Sequence, residues 1–168
     1  MTSESAIREA KRPRNPVAGP YGHPFHPILV TLPIGAWVAS LVFDIAGAAT
    51  GEREVFGPGA ALLIAIGIVA AVLAAVPGLL DFTGIAAGTR AKQLALTHMA
   101  INLTVVAVFA ISWILRVTSE DATNVAGVVL SVLGLLGLGV SGFLGGELAY
   151  RHGVRVADED TQREGHAP

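Results

Sequence analysis

Four long apolar stretches alternate with short polar segments along this chain, at about residues 27–49, 58–82, 91–117 and 123–150. Each exceeds the roughly 20 residues that an α-helix needs to cross a hydrocarbon core of about 30 Å. Pro27 opens the first stretch and Pro58 the second, where a missing N–H would have no helical partner in any case. Pro33 lies about a turn and a half into the first stretch and is predicted to kink it. The connections, about 50–57, 83–90 and 118–122, are short, so consecutive spans are predicted to run antiparallel. The pattern predicts an all-α fold, an integral membrane up-down four-helix bundle over residues 23–150. Residues 1–22 read as a disordered basic N-terminal arm broken by Pro13, Pro16 and Pro20, with room for a short helix near residues 3–12. Residues 151–168 read as a polar disordered tail.

Helical phase sorts the polar residues inside the spans. At about 100° per residue, His26, Pro33, Trp37, Ser40 and Asp44 fall on one stripe of span one. His98, Asn102, Phe109 and Arg116 fall on one stripe of span three. Polar groups within spans face the bundle interior, so Asp44 is predicted to pair with Arg116. The competing reading lets Arg116 snorkel to the headgroups. In span four, Gly127, Ser131, Gly134, Ser141 and Gly145 form a small-residue stripe, and Gly142 with Gly146 adds a G-x-x-x-G. Such residues let helices approach closely. They suit tight packing, a homo-oligomer seam through span four, or room for a flat cofactor.

Composition agrees with the pattern. Of the 168 residues, 52% are hydrophobic and only 14% charged, with a mean hydropathy of +0.62, against about 25% charged in soluble domains. The charges are segregated. Arg8, Lys11, Arg12, Arg14, Arg90, Lys92, Arg151, Arg155 and Arg163 share one face, and Arg53 and Arg116 lie towards the other. The positive-inside rule then predicts a cell-membrane protein with both termini cytoplasmic. The basic arm ahead of an apolar stretch imitates a secretory signal, but the stretch is too long and three more follow. There is no cysteine, which excludes disulfides, thiolate metal sites and an iron–sulfur cluster held by this chain's own side chains. No Walker A, G-x-S-x-G, H-E-x-x-H or dinucleotide fingerprint is present, so a stand-alone enzyme is not expected. The expected partner is the lipid bilayer, not a nucleic acid.

The chemistry gathers at the cytoplasmic end. His23 and His26 open span one, Asp81 closes span two, His98 lies about two turns into span three, and Glu147, Tyr150 and His152 close span four. Asp81 and Glu147 end helices, where the macrodipole disfavours negative charge, and they call for compensation from Arg90, Arg151, a protonated histidine or a cation. His26 and His98 are predicted to face one another across the core. Facing imidazoles are one way to hold a b-type haem, with Asp81 as a second acceptor for one ring. A second reading is a metal site or proton relay of His23, His26, Asp81 and His98. A third is structural: His98 and Asn102 bond across helices, and the His-Pro-x-His-Pro segment is a rigid lead-in to a helix.

These residues also carry a resemblance. The run G-H-P-x-H-P-x-L-x-x-x-P-I-G at Gly22–Gly35 is followed by Phe43-Asp44, Gly78-Leu79-Leu80-Asp81-Phe82 and Thr89-Arg90-Ala91. His98 with Asn102, Arg116, Gly145-Gly146-Glu147-Leu148 and Tyr150-Arg151-His152-Gly153-Val154 complete it. Together they resemble a bacterial family of four-span membrane proteins catalogued as a domain of unknown function, over about residues 22–156. Some members of similar families occur joined to Rieske-type iron–sulfur domains. That implies a redox setting, in which a haem-binding electron-transfer or anchor subunit would meet a separate redox protein. The alternatives are a cofactor-free structural or assembly protein and a metal- or proton-handling transport protein.

Overall fold

The computed structural model describes residues 2–119 and 124–167. Among these the chain is helical and contains no strand. In order, the helices are α1 (Ser3–Lys11), α2 (Phe25–Leu29), α3 (Thr31–Thr50), α4 (Arg53–Thr83), α5 (Arg90–Thr118), α6 (Val125–Gly146) and α7 (Glu159–Glu164). The last turn of α6 widens to a π-turn at Glu147–Arg151. Four segments are long and apolar enough to cross a membrane: Phe25–Thr50, Arg53–Thr83, Arg90–Thr118 and Val125–Arg151. Large apolar side chains such as Leu62, Val69, Leu103 and Leu136 are exposed along them, as a lipid-facing surface requires. The all-α, four-span architecture is the predicted one, and short connections alternate the direction of the spans.

The boundaries moved for physical reasons. The first span breaks at Val30, between α2 and α3, because Pro33 has no N–H to give the Leu29 carbonyl. The second span begins at Arg53, ahead of the expected Pro58, which falls in the second turn of α4. Gly51, with φ of 79°, turns the chain between α3 and α4 and donates its N–H to the Gly47 carbonyl. The expected start of span four at residue 123 lies outside the described residues.

The chain divides into two compact units. One comprises Leu29–Leu73 and Ala100–Ser141. Its core is a stack drawn from four helices. The Trp37 and Phe109 rings lie 4.2 Å apart and 6° from parallel. Gly67 of α4 backs Trp37, and Gly134 of α6 backs Phe109. Trp37 donates its indole N–H to the Ile64 carbonyl at 3.3 Å. Further along, Arg116 grips Asp44 through two bonds of 2.7 Å, and both side chains are 3% exposed. Ser112 and Ser131 complete this network, each donating to the Gly127 carbonyl and accepting from Arg116. The predicted pair is therefore formed, and Arg116 does not reach out to headgroups.

The other unit comprises Met1–Ile28, Ala74–Met99 and Gly142–Pro168. Here the structure corrects the expectation of a disordered arm and tail. Residues Ser3–Lys11 form α1, and the tail folds back onto the arm. Arg155 donates its backbone N–H to the Ala10 carbonyl at 2.9 Å. Lys11 Nζ donates to the Ala157 carbonyl, and the Asp158 N–H donates to the Tyr21 hydroxyl. The ordering force is hydrogen bonding between segments far apart in sequence, which polar composition does not reveal.

Asp158 caps α7. Its carboxylate accepts from the backbone N–H and the hydroxyl of Thr161, and these bonds, with the Tyr21 hydroxyl, hold its pKa down at about 2. Because the folded value is depressed, the cap is fully effective above about pH 4 and is lost as pH falls towards about 2. Amide exchange at residues 159–164 is expected to quicken across that window. In Asp158→Asn, which cannot be protonated there, the step should be missing.

Candidate functional site

The Met1–Ile28, Ala74–Met99 and Gly142–Pro168 unit holds the one place where the predicted chemistry converges. His26, in the first turn of α2, meets His98, two turns into α5, with ring centres 6.4 Å apart and planes 89° from parallel. His26 Nδ1 lies 2.8 Å from the Ala74 carbonyl. A carbonyl only accepts, so Nδ1 is the donor in this contact. Glycines flank both rings. A Cβ on Gly78 would lie 2.8 Å from His26 Nδ1, and one on Gly145 would lie 3.3 Å from His98 Cε1. Gly78 and Gly145 thus let α4 and α6 close onto the histidine-bearing helices. The small-residue stripe of α6 serves packing along its length, since Gly127 and Gly134 receive Arg116 and Phe109 in the same way. Gly142 faces no atom within 4 Å among the described residues.

Asp81 stands one turn beyond Gly78 on α4. It is compensated by Arg155, with Nε 2.8 Å from Oδ1 and the arginine side chain 4% exposed. The contact is an ion pair without hydrogen-bond alignment. Arg155 Nη2 donates to the Ala18 and Gly19 carbonyls at 3.0 and 2.9 Å. Asp81 is therefore neutralised from the tail, and neither Arg90 nor Arg151 is its partner. Arg90 is exposed. Glu147 takes the plain solution, a 3.2 Å pair with Arg151 one turn on. Lys92 donates to the Phe82 carbonyl at 2.8 Å and lies over the Phe82 ring at 3.3 Å, closing the carbonyl end of α4 with a cation.

His23 does not join the pair. It is exposed, with Nδ1 3.4 Å from the Tyr21 carbonyl. Asn102 is half-buried one turn further along α5 from His98. Among the described residues, no three histidine, aspartate or glutamate side chains are placed to hold a metal ion. The donor set is two facing imidazoles. That is too few for a bare zinc or copper ion, which takes three or four protein ligands. Haem supplies its own equatorial nitrogens and needs two axial donors at most. Two imidazoles on one metal place their ring centres about 6 Å apart, given metal–nitrogen bonds of about 2 Å. In number alone, the two imidazoles match haem's demand for axial donors.

Residues 22–158 match the family described as Predicted membrane protein (DUF2231). The chain belongs to this family. Neither a curated protein nor a solved structure matches it. The DUF2231 match begins at Gly22 and ends at Asp158, so it takes in the histidine pair, both buried ion pairs and the tail segment that carries Arg155.

Sequence reasoning missed Arg155. It stands in a polar tail with no periodicity, and its φ of 61° places it in the left-handed region. The available signal was the unexplained need of Asp81 for a cation. Ser112 was missed, and Ser131 was read only as a small packing residue, because serines in a span draw no attention as polar partners until an arginine is found between them.

Proposed function

We propose that this DUF2231 protein is a small b-type cytochrome of the cell membrane, with His26 and His98 as the axial ligands of a haem b. The observation that carries the reading is the pair itself: two imidazoles from different spans with ring centres 6.4 Å apart, and among the described residues no third histidine, aspartate or glutamate placed with them to hold a metal ion. When bound, the haem supplies one-electron chemistry. His26 and His98 would hold it. The Ala74 carbonyl fixes the tautomer and the orientation of His26, as the outer hydrogen bond of a ligating histidine does. Gly78 and Gly145 let the α4 and α6 backbones approach the two rings closely.

The charge distribution supports a cytoplasmic position for this end of the protein, and with it both termini. Two of the eleven arginines and lysines, Arg116 and Arg155, are spent in buried ion pairs. Setting them aside leaves eight against one instead of nine against two, and the positive-inside rule counts loop charges of that kind. An electron-transfer or anchor role implies a separate redox protein that docks at the cytoplasmic face.

The test is the absorption spectrum of detergent-purified protein from haem-supplemented cells. A Soret band is expected, lost in both His98→Ala and His26→Ala and retained in His23→Ala. A colourless preparation of folded natural protein would sink the reading and leave a cofactor-free structural or assembly role.

A further inference from the structure

The C-terminal end of α6 carries two glycines that packing within the chain does not explain. Glycine is a poor helix former, and elsewhere in the spans it is matched to a close approach. Gly67, Gly78, Gly127, Gly134 and Gly145 each meet a side chain from another helix. A Cβ on Gly142 would meet nothing within 4 Å among the described residues. One on Gly146 would meet only Tyr150 of its own helix, 4.0 Å away.

The surface around these glycines is open and has its own relief. Phe143 is 69% exposed and Tyr150 91% exposed. Phe143, Gly146, Glu147, Tyr150 and Arg151 line an open groove of about 440 Å³. Its polar margin is the 3.2 Å pair of Glu147 and Arg151, one acid and one base a turn apart, with the arginine side chain mostly exposed.

Glycines four residues apart on a membrane helix let a second backbone come close. Copies of one chain enter the bilayer in one orientation. Two that pair symmetrically are therefore related by an axis along the membrane normal, and each residue lies at the depth of its counterpart. A face that meets itself in this way must be self-complementary. This face is. The notch at Gly142 and Gly146 admits the same stretch of a second helix, and the exposed aromatic rings have an open groove to enter. One acid with one base lets Arg151 of each copy turn from its own Glu147 to that of the other. Acyl chains could fill the groove, but they offer no partner to either charge.

We propose that this face of α6 is a homodimer seam. The α6 helix of a second copy packs in parallel against Gly142 and Gly146, and Glu147 and Arg151 pair between the copies at its rim. Neither His26 nor His98 takes part, so the seam stands or falls apart from the haem assignment.

The chain has no cysteine, so single introduced cysteines report on one position at a time. The full-length protein is placed in bilayers at high dilution and mildly oxidised. Gly142→Cys is expected to give a disulfide-linked dimer. Leu79→Cys and Leu96→Cys, on exposed faces of α4 and α5, are expected to stay monomeric. Single-molecule subunit counting then gives the affinity. Gly142→Leu should weaken dimerisation by about tenfold or more and leave the unfolding midpoint unchanged, because its side chain enters open space within the chain. Glu147→Arg and Arg151→Glu should each self-associate less. A mixture of these two variants should pair with one another, since their charges match only across the seam.

Natural protein that counts as monomers would overturn the seam. So would disulfides forming equally at Leu79→Cys or Leu96→Cys, or an undiminished dimer in folded Gly142→Leu. A different protein seated on this face in place of the second copy would overturn it too. A mixture of the charge variants that pairs no better than either alone would overturn the exchange of Glu147 and Arg151. Should Gly142→Leu fail to fold, the cysteine pattern and the charge mixture decide the matter without it.

Discussion

Replacing Asp44 by Leu is expected to destabilise the protein by about 3–5 kcal/mol, and Arg116→Met by a similar amount, because each strands an uncompensated charge in a dry interior. The pair is bidentate, with both bonds at 2.7 Å and both side chains 3% exposed. The double variant Asp44→Leu/Arg116→Met should recover most of the loss, since a buried ion pair exchanged whole for apolar residues is often close to neutral. Ser112 and Ser131 would still donate to the Gly127 carbonyl. Gly127→Ala probes the same place from the other side. Its Cβ would lie 3.0 Å from Arg116 Cγ and 3.1 Å from Nε, so it should lower stability by pushing the guanidinium off its serines. Unfolding in mixed micelles gives the readout. Single variants as stable as the natural protein would mean that Asp44 and Arg116 are bathed in water or headgroups.

That pair was legible in the sequence, and the reason is instructive. Asp44 and Arg116 lie on the same helical stripes as Trp37 and Phe109, and a charge on an apolar helix has few places to go. The same logic placed His26 and His98 at one end, from span direction and depth alone. It reached no further. Arg155 acts through a left-handed backbone and three arm carbonyls, and nothing in local propensity announces either. The arm and tail looked disordered because they bury little apolar surface. They are held by polar contacts between segments more than 130 residues apart, such as Arg155 to Ala18 and Gly19. Periodicity finds what the hydrophobic effect and helix geometry determine. It is blind to long-range hydrogen bonds, and in this protein such bonds build the wall beside the histidine pair.

Trp37→Ala should be about as damaging as breaking the ion pair, with a loss of about 3–5 kcal/mol. The indole lies at the centre of the four-layer stack. It contacts the Phe109 ring at 4.2 Å, donates to the Ile64 carbonyl and fills the notch left by Gly67. Truncation would leave a hole lined on opposite sides by helices that cannot collapse independently, because Gly134 already presses against Phe109. The reverse experiment is more diagnostic. A Cβ at Gly67 would collide with Trp37 Nε1 and fall 2.5 Å from Cδ1, and a buried indole has no slack to give. Gly67→Ala is therefore expected to cost about 1–3 kcal/mol through overpacking. In the Trp37→Phe background the smaller ring vacates the position that the new methyl group needs, so Gly67→Ala should cost far less there. This non-additivity is the signature of two residues sharing one volume. If Gly67→Ala costs the same in both backgrounds, the indole does not occupy that notch, and the order Gly67–Trp37–Phe109–Gly134 is wrong.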